Sequence, residues 1–313
     1  MVRYSLRRLL LAIPTLLAVL TIIFLIVRVA PGDPATAALG DYASEEAVSA
    51  LRRRMGLDRP LWVQYVTFLA DLLRGDLGKS LITGQPVIDQ IRHVFPYTIE
   101  LTLAAIVVGL LLGIPVGIVT AVRRNTIVDY LGRVVSLAGL SVPAFYLGIL
   151  LIYVFAVKAR LFPALGAAEF SRPGAHLHAL VLPALSLGLI EAAYVTRMTR
   201  SVVLSVLNED YVRTARAKGL PERMVLFGHA LRSAMIPLVS LIGLFAISLI
   251  GGSVLTEEVF ARPGLGKLMI GAMKQKDYTM LQSIMVVYAF IIVLVNLLTD
   301  LLYGIVDPRV RYD

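Results

Sequence analysis

The amino-acid sequence predicts an all-α membrane protein that crosses the bilayer six times, and three observations lead to this fold class. Of the 313 residues, 58% are hydrophobic and 16% are charged, whereas soluble globular chains have about 25% charged residues. The apolar residues gather in runs of roughly 20, the length that an α-helix needs to cross the hydrocarbon core. Segments with arginine and lysine separate these runs, as is typical of loops between transmembrane helices.

Six apolar stretches have the length and composition of transmembrane helices. They are Leu9–Ala30, Thr98–Val122, Leu131–Val157, Leu177–Val195, Met235–Leu255 and Leu281–Ile305. The first follows Arg3, Arg7 and Arg8 and so resembles a signal peptide, but its apolar run exceeds the roughly 7–15 residues of a signal sequence. We therefore expect it to be an uncleaved first span.

The basic residues predict that both termini are cytoplasmic. In that orientation the inner segments are the N-terminus, residues 123–133, residues 196–234 and the C-terminus with Arg309 and Arg311. These segments carry more arginine and lysine than the short outer loops, as the positive-inside rule requires. The long segment over residues 31–97 is largely exempt from that rule.

The segment at residues 31–97 is expected to lie outside the cytoplasm and to be mostly helical. A Pro-Gly-Asp-Pro turn opens it at residues 31–34. A helix follows, with Ser44 as N-cap and Gly56 just past its end. The stretch "PLWVQYVTFLADLLRG" predicts a second helix that ends near Gly75. Both helices are amphipathic, so we expect them on the outer face of the protein or of the membrane.

The second span carries small residues spaced by four. They are Ala105, Gly109, Gly113 and Gly117. Such a face lets another helix approach closely, and we predict packing against a neighbouring helix or subunit. The alternative is a thin, flexible helix that tolerates glycine. Pro115 on the same stretch is expected to kink it.

Motifs that would indicate other functions are incomplete. The "GDLGKS" segment lacks the first glycine of a phosphate-binding loop, because Leu73 stands at that position. His176 and His178 have no third ligand at metal-binding spacing. The chain has no cysteine, which excludes disulfides and cysteine-ligated metals. The net charge of +9 is assigned to cytoplasmic loops rather than to nucleic-acid binding. We predict no enzyme active site, cofactor or metal in this chain.

Three polar residues lie within predicted spans, where charge is costly and often functional. They are Glu191, Asn296 and Asp300. They could pair with Arg197 or Arg200, line a water-filled path, or lie near the cytoplasmic interface.

The longest inner loop, about residues 196–234, predicts a helix-turn-helix. Gly219 is suited to end one helix and Pro221 to begin the next. The result is a slim, charged element. It could dock into a groove of a partner, or it could be a solvated loop held by anionic lipid.

This loop resembles that of a known family. "EDYVRTARAKGLPERMVLFGHALRSAMIPLV" is similar to the cytoplasmic coupling loop of permease subunits of ATP-binding-cassette (ABC) importers, in the dipeptide/oligopeptide group. "VRVAPGDP", "VFARPGLGKLMIGAMKQKDYTMLQ" and "VNLLTDLLYGIVDPRVRYD" extend the similarity over nearly the whole chain. The general E-A-A pattern of the superfamily is replaced by Arg213, Thr214 and Ala215, as in the peptide branch.

The resemblance implies a type I ABC importer transmembrane fold in a bacterial or archaeal cytoplasmic (inner) membrane. Residues 1–97 would form the first span and the extracytoplasmic segment, and residues 98–313 a five-helix core with the coupling loop at about 205–224. The chain would pair with a second, homologous permease. Two cytoplasmic ATPases would hold ATP and Mg²⁺, and an extracytoplasmic solute-binding protein would deliver the cargo.

The resemblance also implies a cargo and a coupling site. Di- or oligopeptides are expected, with glutathione, nickel complexes or heme as alternatives, and a stand-alone secondary transporter is the competing function. The residues expected to contact an ATPase are Glu209, Asp210, Tyr211, Arg213, Thr214, Ala215, Arg216, Ala217, Lys218, Gly219 and Leu220.

Overall fold

The computed structural model describes residues 2–29, 34–40, 43–167 and 169–306, and the described part is helical with no strand. The all-α prediction is confirmed. The α-helices are α1 (Val2–Val29), α2 (Pro34–Leu39), α3 (Glu45–Arg54), α4 (Leu61–Leu73), α5 (Val87–Val122), α6 (Ile127–Ser141), α7 (Ala144–Leu151), α8 (Pro173–Leu207), α9 (Asp210–Ala217), α10 (Glu222–Met224), α11 (Leu231–Val259), α12 (Leu265–Lys274) and α13 (Tyr278–Val306). Two π-helical segments, π1 (Ile152–Lys158) and π2 (Val225–Ala230), follow α7 and α10. The predicted turn at residues 31–34 begins outside the described residues, and Arg309 and Arg311 lie outside them.

Among the described residues, four helical stretches are long and apolar enough to cross a membrane. They are Leu6–Arg28 in α1, α5, α8 and Tyr278–Leu301 in α13. They match the predicted first, second, fourth and sixth spans. The predicted fifth span lies within α11, which is not among these four, so the count of six spans stays a prediction.

The predicted third span is broken rather than continuous. α6 and the helix formed by α7 with π1 meet at 98°. Val142 is extended, with φ −100° and ψ 123°, and Pro143 precedes the first residue of α7. Proline has no amide hydrogen to continue the ladder, and its ring disfavours helical conformation in the residue before it. The bend therefore follows from the Val-Pro sequence.

The contacts between Cα atoms divide the chain into two compact units. Of the described residues, one unit contains 2–5, 97–167, 169–263 and 295–306, and the other contains 6–29, 34–40, 43–96 and 264–294. In the first unit, α8 packs against α6, α7 and α11, and 16 of its 35 residues are buried. A cluster that includes Leu101, Leu180, Leu187 and Leu249 lies between α5, α8 and α11. α8 is thus the central helix of this unit.

The small face of α5 lies directly against α8. A Cβ atom added at Gly113 would stand 2.5 Å from Cβ of Val195, and one added at Gly117 would stand 2.6 Å from Cβ of Thr199. The hydroxyl of Thr196 donates a hydrogen bond to the backbone oxygen of Gly113 at 3.3 Å. Any side chain larger than hydrogen would push the two helices apart, so the backbones approach as closely as small-residue faces allow.

In the second unit, the "GDLGKS" segment is tied to the start of α13. The hydroxyl of Ser80 donates to Oδ2 of Asp277 at 2.5 Å, and the amide of Leu81 donates to Oδ1 at 3.2 Å. The same Oδ1 accepts from the amide of Met280 at 3.1 Å, so Asp277 caps the first turn of α13. The contacts of Ser80 are therefore those of a structural loop and not of a phosphate cradle.

The glycine row yields a stability prediction. Gly113→Ala should destabilise the protein by about 1–3 kcal/mol, because the new methyl group overpacks the contact with Val195. Thermal unfolding in detergent measures the change.

Gly251→Ala in α11 is the matched control, since nothing lies within 4 Å of its Cβ position. The higher helix propensity of alanine should leave this variant at least as stable as the parent chain, by up to about 1 kcal/mol. Equal melting temperatures for the two variants would contradict the close packing of α5 on α8.

Candidate functional site

The predicted coupling element is a short helix closed by a tight turn. α9 begins after Glu209, whose backbone is extended at φ −69° and ψ 147°. It ends in a Schellman motif, in which the amide of Gly219 donates to the oxygen of Arg216 at 2.9 Å and that of Leu220 to the oxygen of Ala215 at 3.4 Å. Gly219 has φ +78°, which glycine adopts without the steric cost of a Cβ. The predicted helix end at Gly219 is present.

An ion pair ties the turn together. Arg216 donates from Nη2 to Oε1 of Glu222 at 2.7 Å and from Nε to Oε2 at 3.1 Å. This paired geometry lowers the pKa of the Glu222 carboxyl and raises that of Arg216, in each case chiefly through the hydrogen bond. Both side chains are partly exposed, so the stabilisation is that of a surface pair, about 0–1 kcal/mol.

The helix α9 has a buried face and an exposed face. Val212 and Ala215 are buried, and they join Val225, Leu226 and Ala230 in one cluster. Leu220 is half-buried and packs against the same cluster. The exposed members of the predicted set are Glu209, Asp210, Tyr211, Arg213, Thr214, Arg216, Ala217, Lys218 and Gly219. A partner can therefore reach these nine residues but not the side chain of Ala215.

Glu191 lies where α8 faces the glycine row of α5. A Cβ added at Gly109 would be 2.9 Å from its Cβ and Cγ atoms. The residue is buried, and its Oε1 atom has no hydrogen-bond partner in the described part of the chain. Asn296 is exposed and Asp300 is half-buried on α13.

The arginines proposed as partners of these polar residues make other contacts. Arg200 donates to Asp129 from Nε at 2.7 Å and from Nη2 at 2.8 Å, and the carboxylate of Asp129 is fully buried. Arg197 lies over the ring of Tyr194, 5.7 Å from its centroid. The sequence left open a pairing of Glu191 with Arg200. In the structure, Arg200 instead forms an ion pair with Asp129, which joins α6 to α8.

A second buried charge cluster was not found from the sequence. Arg262 is fully buried and donates from Nη2 to Oε2 of Glu100, and Nε2 of His176 lies 2.7 Å from the same carboxylate. The carboxylate of Glu257 is also buried and accepts from the hydroxyl of Thr98 at 2.7 Å. Burial lowers the pKa of Arg262, and Glu100 opposes this shift. Near Arg262, the sequence offers only an arginine followed by a proline after a helix, and this pattern does not indicate that the arginine is buried.

The two histidines do not form a metal site in the described residues. His176 is buried between Glu100 and the rings of Tyr97 and Phe170, while His178 is exposed and lies 2.8 Å from the backbone oxygen of Leu161. No group of three or more metal-ligating side chains occurs among the residues described.

Apolar helices of span length, buried ion pairs, and a short charged helix between α8 and α11 define a multi-pass membrane protein. Two family models then identify its class. "Binding-protein-dependent transport system inner membrane component" matches residues 113–312, and the corresponding N-terminal model matches residues 1–102. The chain belongs to this family, and it is a permease subunit of the ABC importer type.

Curated relatives match over their full length. The chain is 39% identical over 333 residues to the dipeptide transport system permease protein DppB of Alkalihalophilus pseudofirmus, with 100% of both chains covered. It is 41% identical over 312 residues to the glutathione transport system permease protein GsiC of Pectobacterium atrosepticum, again with full coverage of both.

A solved structure shares the fold. The MetNI methionine ABC transporter, in an inward-facing conformation, aligns with a TM-score of 0.58 and 19% identity. The alignment covers 70% of this chain and 96% of the transporter chain. The predicted type I importer architecture is therefore supported at the level of the fold.

The buried cluster yields a second prediction. Arg262→Met should destabilise the protein by about 3–5 kcal/mol, because it leaves the carboxylates of Glu100 and Glu257 without their buried cation. The melting temperature in detergent and the amount of chain in the membrane report the loss.

Arg172→Met is the control, since Arg172 is exposed and precedes α8 in the same unit. It should unfold at the parent temperature. A drop of the same size in both variants would mean that the buried pair contributes nothing specific.

Proposed function

We propose that this chain forms half of the translocation path for di- or oligopeptides in an ATP-driven, binding-protein-dependent importer. The observation that carries the proposal is the full-length identity of 39–41% to permeases named for dipeptide and glutathione transport. Glutathione is itself a small peptide, so both names point to substrates with peptide bonds and terminal charges. Nickel complexes and heme are the alternative cargoes within the same family.

The proposed assembly contains three kinds of partner protein. A second, homologous permease completes the path, and two cytoplasmic ATPases bind ATP and Mg²⁺. A solute-binding protein delivers the peptide on the opposite side. We place both termini in the cytoplasm, because this orientation puts the basic segments, including the α9 turn, on the inner side.

We propose that α9 transmits the movement of an ATPase to the spans. Its buried face packs on a cluster that also receives Ile118 of α5, Val206 and Leu207 of α8, and Leu231 of α11. A displacement of α9 would therefore move the ends of three helices together. Its exposed charged face would meet the ATPase. Coupling of this kind requires a partner that contacts two rigid-body states differently.

The division of labour within the chain follows the same proposal. Residues 1–97 would supply the first span and the extracytoplasmic segment, and residues 98–313 would supply the five-helix core. Glu191, Asn296 and Asp300 are the candidates for lining the path. A secondary transporter would need its own coupling-ion site, and no inverted repeat is evident in the sequence.

The coupling proposal predicts the effect of a charge reversal on α9. Arg213→Glu should strongly reduce ATP-dependent uptake while the chain still inserts and folds, because the Arg213 side chain is 68% exposed and lies outside the buried cluster. Uptake into proteoliposomes, together with ATPase activity and copurification of the ATPase, measures the effect.

The matched control is Arg124→Glu, the same reversal at an exposed residue on another predicted cytoplasmic loop. Its uptake should equal that of the parent importer. Normal uptake by Arg213→Glu would exclude coupling through the exposed face of α9. If the chain alone carried out ion-driven uptake without ATP, it would be a secondary transporter and not a subunit of an importer.

The cargo proposal predicts the competition pattern of uptake. A labelled dipeptide should enter vesicles that hold the complete importer and its binding protein, and unlabelled tripeptide or glutathione should compete. Import of a nickel chelate or heme without competition by any peptide would contradict the peptide cargo. That result would leave the coupling proposal standing, because coupling is tested by the α9 variants.

A further inference from the structure

The helix α4 has apolar side chains on two faces, and only one of them packs against other described parts of the chain. Phe68, Leu69 and Leu72 pack against a cluster formed by α1 and α13. On the adjoining arc, Trp62, Val66 and Leu73 are 71%, 58% and 90% exposed. At 3.6 residues per turn these three residues share one side of the helix. A helix that is apolar on both its packed and its exposed side is not typical of a water-facing surface.

The packed face meets the two spans well inside their ends. The cluster core contains Leu20 and Ile23 of α1 and Val286 and Ala289 of α13. Leu20 lies about 12 Å along the helix from Arg28, where the first span ends, and Ala289 lies about 16 Å from Tyr278, where the other span begins. α4 therefore reaches the level at which these spans cross hydrocarbon.

Specific contacts hold α4 along the outer half of α1. The hydroxyl groups of Thr21 and Tyr65 are 2.6 Å apart. The ring of Phe24 lies edge-on to Tyr65, with centroids 5.2 Å apart, and 5.7 Å from the ring of Phe68. These contacts fix which face of α4 points away from the spans.

The polar side chains of α4 are directed elsewhere. Gln64, Thr67 and Asp71 line a cavity of about 480 Å³, together with Arg28 and Lys79. Gln64 accepts from Nε of Arg28 at 3.3 Å and donates to a backbone oxygen at 2.8 Å. The polar arc is thus turned toward this cavity, and the arc that carries Trp62, Val66 and Leu73 is apolar.

α1 also carries an exposed apolar face beside its contacts with α4 in the sequence. Ile22 and Ile26 of α1 are 55% and 52% exposed, at the same level as the α4 contacts. In a transmembrane helix such side chains meet lipid. A soluble binding protein cannot reach that level without entering the bilayer.

We propose that α4 is inserted into one leaflet of the membrane, where Trp62, Val66 and Leu73 contact the acyl chains of lipids. The single tryptophan suits the boundary between headgroups and hydrocarbon. Arg59 and Arg74 are exposed just beyond the two ends of α4 and can extend to lipid phosphates. In this proposal, α4 anchors the segment between the first two spans in the bilayer, while the rest of that segment faces water.

Trp62 makes a direct test possible because it is the only tryptophan in the chain. The full chain is reconstituted alone into vesicles of phosphatidylcholine, either unmodified or brominated on the acyl chains. We expect brominated lipid to reduce Trp62 emission and aqueous iodide to leave it unchanged. Quenching by iodide without quenching by brominated lipid would place α4 in water, and quenching by neither would place it against protein. Either result overturns the proposal.

The absence of cysteine provides a second test in the complete importer. Val66→Cys and Glu46→Cys are treated with a charged thiol reagent in open membrane fragments, where both faces are accessible. Glu46 is an exposed residue of α3 and serves as the water-facing control. We expect Val66→Cys to react far more slowly, and both thiols to react fully after unfolding in SDS. Equal rates before unfolding would contradict insertion of α4.

The two tests together separate lipid from a partner subunit. Slow labelling of Val66→Cys in the complex, combined with unquenched Trp62 in the chain alone, would mean that another protein covers the face. That outcome also rejects the lipid contact.

Discussion

The close contact of α5 with α8 is the constraint on which the larger unit depends. Within a bilayer, helices gain little from apolar burial against one another, because lipid is equally apolar. Glycine instead permits van der Waals contact between backbones. At Gly113 and Gly117 the neighbouring side chains Val195 and Thr199 already occupy the space that a Cβ would need. α6, α7 and α11 pack around the same α8.

Buried ion pairs add specificity to this apolar packing. Asp129 with Arg200, and Arg262 with Glu100, each join two elements that are far apart in the sequence. Taking such charges out of water is expensive, so the net stabilisation is small, but losing one partner leaves an uncompensated charge. The pairs therefore act mainly against shifted or rotated arrangements of the helices, which would separate the charges.

Stiffness at the α9 turn has a simple origin. The turn is closed by a Schellman motif and the Arg216–Glu222 pair, and its apolar face shares a cluster with the ends of α5, α8 and α11. A short helix attached in this way cannot move independently of those ends. The charged side chains lie on the exposed face of the same eight residues, so the attachment to the cluster leaves them accessible.

The sequence by itself determined the features that depend on composition and on local backbone chemistry. Apolar runs of span length identify membrane helices, and the Gly219 and Pro221 pair sets the end of α9 and the start of α10. The spacing of the α5 glycines indicated a packing face. These signals are readable because each depends on neighbours within one helix or one turn.

The tertiary structure alone decided which distant residues meet. It pairs Arg200 with Asp129, buries Arg262 against Glu100, and turns Ala215 away from the exposed face of α9. It also sets the angle of the bend in the predicted third span, although the bend itself follows from the Val-Pro sequence. Helical periodicity identifies the faces of a helix, but which neighbour covers each face depends on packing between elements that are separated by many residues, and that information is not local.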